Sequence, residues 1–303
     1  MGELARSEHC GVKELLRASC ADPSRPDSND VAFGVAPRIN AAGRIDHPAL
    51  ALAVFEASRN EEAARKSVEV LNRLNQERRQ LVAAQIEGLC SEIPKSVPAG
   101  LVVYCKSCPK GIAGLVAAKC VERFSVPSIV LTPSPGPGLV VGSGRSVAGF
   151  DLVDGLERFR AFLTRFGGHA QAVGLTMPLA DVETFAKEFA AFVATLKLKK
   201  SEMRVDAELV LATAGRQFDE QLALLEPFGE GNPAPVFLLR RAEVVSIRNR
   251  WVRIRQGRCS LEVLCWDLAA KEGMRGDCLI EFRGKRRILK DFREESGSGF
   301  QAI

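Results

Sequence analysis

The sequence predicts an α/β region followed by an all-β barrel, preceded by a long amphipathic helix. Three observations carry that prediction. A strand–helix–strand pattern runs from Leu101 to Gly142, which implies an α/β layer containing a parallel pair. The last hundred residues switch to short strands at regular intervals, the pattern of a small barrel. Between Pro48 and Ile93 the apolar positions follow helical spacing instead.

Element by element, residues 1–30 are polar and rich in Pro and Ser toward Ala21-Asp-Pro-Ser-Arg-Pro-Asp-Ser-Asn29, which reads as a loop after a short helical piece at Val12–Arg17. The helical pattern from Pro48 is interrupted near Ser58–Asn60. Beyond the break Val68, Leu71, Leu74, Leu81 and Ile86 form an amphipathic face, and Pro94 and Pro98 end it. Strands are expected at Leu101–Cys105, Ser128–Leu131 and Leu139–Gly142, with a helix over Gly111–Phe124. Asp151 is the expected N-cap of a helix reaching Phe162. Another helix starts at Asp181, where Val182, Phe185, Phe189, Phe192, Val193 and Leu196 fall three and four apart, a core stripe rather than a cofactor site. Lys197, Lys199 and Lys200 mark its end and a linker. Strands at Val205–Leu211, Ala242–Ile247, Trp251–Arg255, Ser260–Cys265, Cys278–Arg283 and Phe300–Ile303 complete the pattern. The expected divisions are 1–98, 99–200 and 201–303.

Composition narrows the class. At 303 residues the chain exceeds the usual single domain of about 100–200, and 46% apolar residues suffice to bury more than one core. No apolar run approaches the ~20 residues of a membrane span, and Met1–Cys10 has no apolar stretch of the signal-peptide kind, so a cytoplasmic protein without membrane association is expected. Nine scattered cysteines fit reduced thiols better than a disulfide framework. Cys105-Lys-Ser-Cys108 has the CxxC spacing of zinc and redox sites, but no second CxxC or HxxxH completes a zinc site. Cys105 also ends the apolar run from Leu101, so packing accounts for it.

Two segments suggest an anion site. A strand running out into Gly142-Ser143-Gly144 would leave backbone N–H groups uncovered, and Ser143, Arg145 and Ser146 add donors suited to phosphate oxygens. The same Gly/Ser run also reads as an ordinary hairpin turn. Phe166-Gly-Gly-His-Ala170 follows about twenty residues later; Gly167 and Gly168 permit close approach of a ligand, and His169 offers an imidazole. A histidine tied to a backbone carbonyl is the structural alternative.

Charge separates the last region. Between Arg240 and Arg293 stand 15 Lys and Arg against 7 Asp and Glu, in a chain whose whole balance is +5. Arg248, Arg250, Arg253 and Arg255 surround Trp251, and Arg283, Lys285, Arg286, Arg287 and Lys290 follow Phe282. Cations interleaved with aromatics on a small barrel suit single-stranded nucleic acid, with charges following the backbone and rings stacking on bases. A solvated strand face, with Trp251 or Trp266 in the core, is the alternative.

Taken together, Phe33-Gly-Val-Ala-Pro-Arg-Ile-Asn-Ala-Ala-Gly-Arg44, Gly142-Ser-Gly-Arg-Ser-Val-Ala-Gly-Phe-Asp151, Phe166-Gly-Gly-His-Ala170 with Gly174-Leu-Thr176, and Pro227-Phe-Gly-Glu-Gly-Asn-Pro233 resemble the RecJ single-strand-specific exonucleases of the DHH phosphoesterase superfamily. The resemblance runs from about Val12 to Ile303. It implies a long connecting helix, a DHH-associated α/β domain and an OB-fold-like barrel. It also implies DNA hydrolysis from the 5′ end in repair and recombination, with Mn2+ or Mg2+ held by Asp and His clusters that include an Asp-His-His motif. That motif is absent here; His9, His47 and His169 are the only histidines, and Asp46-His47 does not replace it. The expectation is therefore the C-terminal, DNA-gripping part of such an enzyme, binding no metal and holding no catalytic residue itself.

By resemblance, Ser143, Gly144, Arg145 and Ser146 would bind the 5′-phosphate, and Gly167, Gly168 and His169 would face the catalytic cleft. Arg38, Asn40 and Arg44 would line the strand's path, their alternative being helix-end structure with Asn40 capping and Gly43 turning. Pro227–Pro233 would be a structural loop. Where the family has a Trp-His or Trp-Asn pair, this chain has Cys108-Pro109-Lys110-Gly111, which leaves Lys110 as the phosphate contact there. Single-stranded DNA with a 5′-phosphate is the implied partner of a monomer, with a single-strand-binding protein or a helicase as further partners. Two other readings stay open: a stand-alone single-strand-binding module, and a phosphoesterase of short oligonucleotides, against which the strand-binding barrel argues.

Overall fold

The computed structural model describes residues 2–20, 22–93, 96–196, 198, 204–229, 231–265, 271–284 and 286–294. The expected strand at Phe300–Ile303 lies outside these residues, as do Trp266, Lys285 and the lysines at 197, 199 and 200. The elements run α1 (Gly2–Ala5), α2 (Cys10–Ser19), a π-helical segment (Asp30–Val35), α3 (Ala36–Ile45), α4 (Ala49–Glu56), α5 (Glu61–Glu92), β1 (Leu101–Tyr104), α6 (Lys110–Phe124), β2 (Ser128–Pro133), β3 (Leu139–Arg145) and α7 (Leu152–Glu157). There follow β4 (Arg165–His169), β5 (Ala172–Pro178), α8 (Val182–Thr195), β6 (Ala207–Glu208), α9 (Arg216–Ala223), β7 (Val236–Arg248), β8 (Trp251–Gln256), β9 (Cys259–Leu264), β10 (Arg275–Arg283) and β11 (Arg286–Glu294). The chain forms two compact units. One gathers Glu8–Ala18 and Ala36–Glu202; the other gathers Met1–Ser7, Ser19–Val35 and Met203–Ile303.

In the larger unit the break near Ser58–Asn60 separates α4 from α5, because Asn60 caps the second helix by accepting from the Ala63 N–H at 3.0 Å. Helix α3 runs unbroken through Asn40 and Gly43, so the alternative of a capping Asn40 and a turn at Gly43 does not form. Its Ala41 and Ala42 are fully buried, small enough to let α3 pack closely on α5.

The five strands stand in the order β1-β2-β3-β5-β4, with β1 and β2 parallel as expected and the other pairs antiparallel. Alternation along β2 gives the sheet two covered faces. Ile129 and Leu131 join Val140, Val173, Leu175 and Met177 under α7 and α8, whose Leu152, Phe185 and Phe189 complete that core. Val130 joins Leu101, Ile112, Val116 and Leu89 beneath α5 and α6. Asp151 does cap α7, accepting from Val153 N at 2.9 Å and Asp154 N at 3.1 Å. The helix stops at Glu157, short of Phe162, because Phe159 turns into the Phe185–Phe189 cluster.

In the smaller unit β7, β8, β9, β11 and β10 pair in a ring, and β10 closes it by pairing with the first half of β7. The β9–β11 contact is parallel, Leu264 opposite Ile288. A closed five-strand ring of this order is an OB-type barrel. Leu239, Val244, Val252, Ile254, Val263, Cys278, Ile280 and Leu289 fill it, and Phe218 of α9 packs edge-on against Phe237 and Phe282, each at 5.4 Å. Both α9 and β11 lie where the sequence pattern predicted neither, and β6 is only two residues long.

Candidate functional site

The Gly-Ser-Gly-Arg run is not a turn. It is the interior of β3, with Val130 and Gly174 flanking Ser143, and Ile129 and Val173 flanking Gly144. An uncovered backbone cradle therefore does not form, since strands pair on both sides. The glycines have a packing reason. On the α8 side of the sheet a Cβ at Gly142 would lie 2.6 Å from Leu131 Cδ2, and one at Gly144 would lie 2.7 Å from Val173 Cγ2. Ser146 is likewise buried, its Oγ donating to the Phe150 carbonyl at 2.6 Å. Alternation sends Ser143 and Arg145 to the opposite face.

The Gly-Gly-His segment is also a strand, the edge strand β4, rather than a loop. Its register places Gly167 opposite Gly174, His169 opposite Ala172 and Arg165 opposite Thr176. Through β5 these rows continue to Ser143, Arg145 and Val141. One face thus carries Ser143, Arg145, Gly167, His169 and Arg165, floored by the exposed Gly167–Gly174 pair. Gly168 alternates to the other side at φ +153°, where a Cβ would stand 2.2 Å from the Ala172 carbonyl oxygen. His169 Nδ1 accepts from Gln171 N at 3.3 Å, which leaves the neutral ring's proton on Nε2 as a donor.

Arg145 is the focus of this face. Its guanidinium lies over Gly114 of α6, where a Cβ would come within 2.8 Å of Nη2, and its Nη1 donates to the Gly144 carbonyl at 2.7 Å. Arg44 donates to the Gly111 carbonyl at 3.1 Å, and α3 touches α6 there so closely that a Cβ at Gly111 would sit 1.9 Å from the Arg44 oxygen. Arg78 of α5 donates to Asn75 Oδ1 at 3.0 Å, while its buried Nε has no hydrogen-bond partner among the described residues. Burial, and then repulsion from Arg44, lowers the pKa of Arg145. Burial, then Arg79 and Arg44, lowers that of Arg78. Among the described residues none of Arg44, Arg78 and Arg145 pairs with a carboxylate. Mutually repelling, half-buried cations without a counter-ion make a site that an anion stabilises.

Arg78 was absent from the sequence expectation, although a signal existed. It occupies the stripe of Leu71, Leu74 and Leu81, where helical spacing calls for an apolar side chain. Of the other expected residues, Arg38 ties helices together, donating to Asn72 Oδ1 and the Ala18 carbonyl, each at 2.6 Å. Asn40 is exposed on α3. Lys110 opens α6 and lines an open groove of about 360 Å³ with Ser134, Val141, Thr164, Arg165 and Thr176.

On the barrel, Trp251 is 50% exposed on the outer face of β8, opposite Arg248 and beside Arg253 and Arg255. Arg250 lies exposed in the tight β7–β8 connection, and Arg286 is exposed at the start of β11. Part of the local charge is internally compensated. Arg253 pairs with Glu262 at 2.7 Å, and Arg255 and Arg275 share Glu243 at 2.8 and 3.3 Å. Arg287 is held by Asp219 and stacks over Phe282 at 5.6 Å, a packed position rather than an open one.

Among the described residues no group of three or more His, Cys, Asp or Glu side chains stands close enough to hold a metal ion. No described helix is long and apolar enough to cross a membrane.

Residues 98–195 match the DHHA1 domain family, and residues 205–277 match the RecJ OB domain family. The single-stranded-DNA-specific exonuclease RecJ of Salmonella typhimurium is 32% identical over 240 residues, covering 75% of this chain and 41% of that protein. RecJ of Bacillus subtilis is 30% identical over 250 residues, covering 81% and 32%. The crystal structure of Thermus thermophilus RecJ with Mn2+ superposes at a TM-score of 0.82 with 26% identity, covering 98% of this chain and 46% of that one. The chain spans about two fifths of the length of the curated relatives it matches.

Proposed function

The chain belongs to the RecJ family, carrying a DHHA1 domain followed by a RecJ OB domain, and from that premise we propose that it supplies the strand-gripping part of a 5′-to-3′ single-stranded-DNA exonuclease. The observation that carries this reading is the Arg44–Arg78–Arg145 cluster beside Ser143, a half-buried cationic site without a carboxylate counter-ion among the described residues. A terminal 5′-phosphate fits it: a dianion that accepts from several guanidinium N–H groups and the Ser143 hydroxyl. His169 Nε2, on the same sheet face, donates to a neighbouring phosphate oxygen. Lys110 and Arg165 extend the positive surface along the groove they share.

On the barrel, Trp251 stacks on a base while Arg248, Arg250 and Arg286 follow the backbone. In OB folds the face of the second and third strands and the loops beside it bind oligonucleotides, and β8 and β9 hold those places here. Anchoring the terminal phosphate sets the polarity of attack and holds the first linkage in place, a gain in orientation. RecJ structures have been solved with Mn2+ and with Mg2+, and hydrolysis by a complete enzyme would use such an ion. The described donor set of this chain does not fit one, so no step assigned to these residues runs through it. A cytoplasmic location and contacts with a single-strand-binding protein or a helicase belong to the same reading.

The test compares binding of 5′-phosphorylated and 5′-hydroxyl single strands to the parent and to Arg145→Ala. Losing a charge-assisted contact worth about 1.5–3 kcal/mol should weaken the phosphorylated strand about ten- to hundredfold and leave the hydroxyl strand nearly unchanged. Equal preference in parent and variant overturns the assignment. The barrel's share is read separately from the fall of affinity with salt, which is shallower in Arg248→Ala and Arg286→Ala.

A further inference from the structure

Cys105 and Cys108 bracket the turn that joins β1 to α6. The Cys108 N–H donates to the Cys105 carbonyl at 3.3 Å, closing an i to i+3 turn. Such a turn keeps its end α-carbons within about 7 Å, the separation beyond which two cysteines cannot be bridged without moving the backbone. Both thiols also turn toward one cluster, the core between the sheet and helices α5 and α6. Their exposures differ. Cys105 is half-buried at the rim, its Sγ donating to Gln85 Oε1 at 2.9 Å and lying 3.6 Å from Ser107 Oγ, whereas Cys108 is 3% exposed. The Cys108 carbonyl accepts from Thr132 Oγ1, which fixes the turn against β2. No third metal-binding side chain joins the two among the described residues, so the pair stands as a dithiol.

We propose that Cys105 and Cys108 form a reversible dithiol–disulfide couple, oxidised by exchange with a small-molecule disulfide. The rim thiol reacts first. Cys105 thiolate attacks one sulfur of the reagent, a mixed disulfide forms at Cys105 Sγ, and one small thiolate leaves. Cys108 thiolate then attacks Cys105 Sγ, the protein disulfide forms, and the second small thiolate leaves. The two protons lost by the protein thiols are taken up by the two departing thiolates, so one small disulfide is reduced to two thiols while the protein pair loses two hydrogens. Burial, and after it the neighbouring Cys105, pushes the Cys108 thiol up to about 11; burial persists once Cys105 is in the mixed disulfide, so the second exchange quickens as pH rises through the neutral and mildly alkaline range.

The experiment treats the reduced whole chain with oxidised glutathione at pH 7 and pH 9, traps free thiols with an alkylating reagent, and digests with trypsin without reductant. Lys106 lies between the two cysteines, so cleavage there separates them unless a disulfide holds the peptide ending at Lys106 to Ser107-Cys-Pro-Lys110. The expected result is that joined pair, formed faster at pH 9 and released by a thiol reductant. Cys108→Ser should instead retain glutathione on Cys105. Absence of the joined pair in the parent chain, under conditions that fully oxidise a small dithiol control, overturns the proposal whatever the variant does.

Discussion

Gly114→Ala separates the stability of the larger unit from the grip on a 5′-phosphate proposed for it. Gly114 lies inside α6, and a new Cβ would stand 2.8 Å from Arg145 Nη2 and 3.4 Å from both Arg145 Cζ and Ser143 Cβ. Only the first distance is too short, and it involves the far end of a flexible side chain. The helix keeps its place and the guanidinium moves. Replacing glycine by alanine in a helix interior stabilises by about 1 kcal/mol, which in a unit of this size raises the melting midpoint by about 2–4 °C. Displacing the guanidinium weakens charge-assisted bonds worth about 1.5–3 kcal/mol. Because Arg44 and Arg78 remain, about half of that is lost, so affinity for a 5′-phosphorylated strand falls about three- to tenfold. Differential scanning fluorimetry reads the first effect, and fluorescence anisotropy with phosphorylated and hydroxyl strands at one salt concentration reads the second. A variant that is more stable yet keeps the parent's full preference for the phosphorylated end refutes the placement of the phosphate at Arg145.

Three further outcomes follow from the smaller unit. Trp251→Ala removes a half-exposed ring, so single-strand affinity should drop by about 1–3 kcal/mol in a binding titration while the melting midpoint barely moves. Arg287→Ala should do the reverse, because its side chain is 19% exposed, held by Asp219 and stacked on Phe282; about 1–2 kcal/mol of unfolding free energy is lost in urea titrations, with little change in the salt dependence of binding. The Glu226 carboxyl is raised above its ordinary pKa, first by burial and then by Asp27. A raised pKa contributes stability that is complete below the ordinary carboxylate range of about 4.3 and is lost as pH rises through the raised value. Glu226→Gln should therefore be more stable than the parent at pH 7, and the difference should shrink toward pH 4 in paired urea titrations. A constant difference across that range would show that the carboxyl carries no such linkage.

The sequence determined much of this protein by itself, because local patterns and local chemistry suffice for it. The stripe from Val68 to Ile86, the Asn60 break, the parallel β1–β2 pair around α6, the Asp151 cap and the Phe185–Phe189 face each depend on residues a few positions apart. So does the family likeness, carried by short motifs. What only the tertiary structure decided is which side of a strand each motif residue faces and what stands beyond it. Gly142 to Arg145 looked like an uncovered turn because glycine and serine are turn residues; in the sheet the two glycines make room for Leu131 and Val173, and only Ser143 and Arg145 reach the open face. The Gly-Gly-His segment became a neighbour of that face through the β4–β5–β3 register, a pairing that no local pattern encodes. Arg78 joined Arg145 and Arg44 for the same reason: three cations separated by 34 and 67 positions meet because helices α3 and α5 pack beside α6 over the same sheet. Period and propensity are properties of adjacent residues, whereas a charged site without a counter-ion is a property of what the fold brings together.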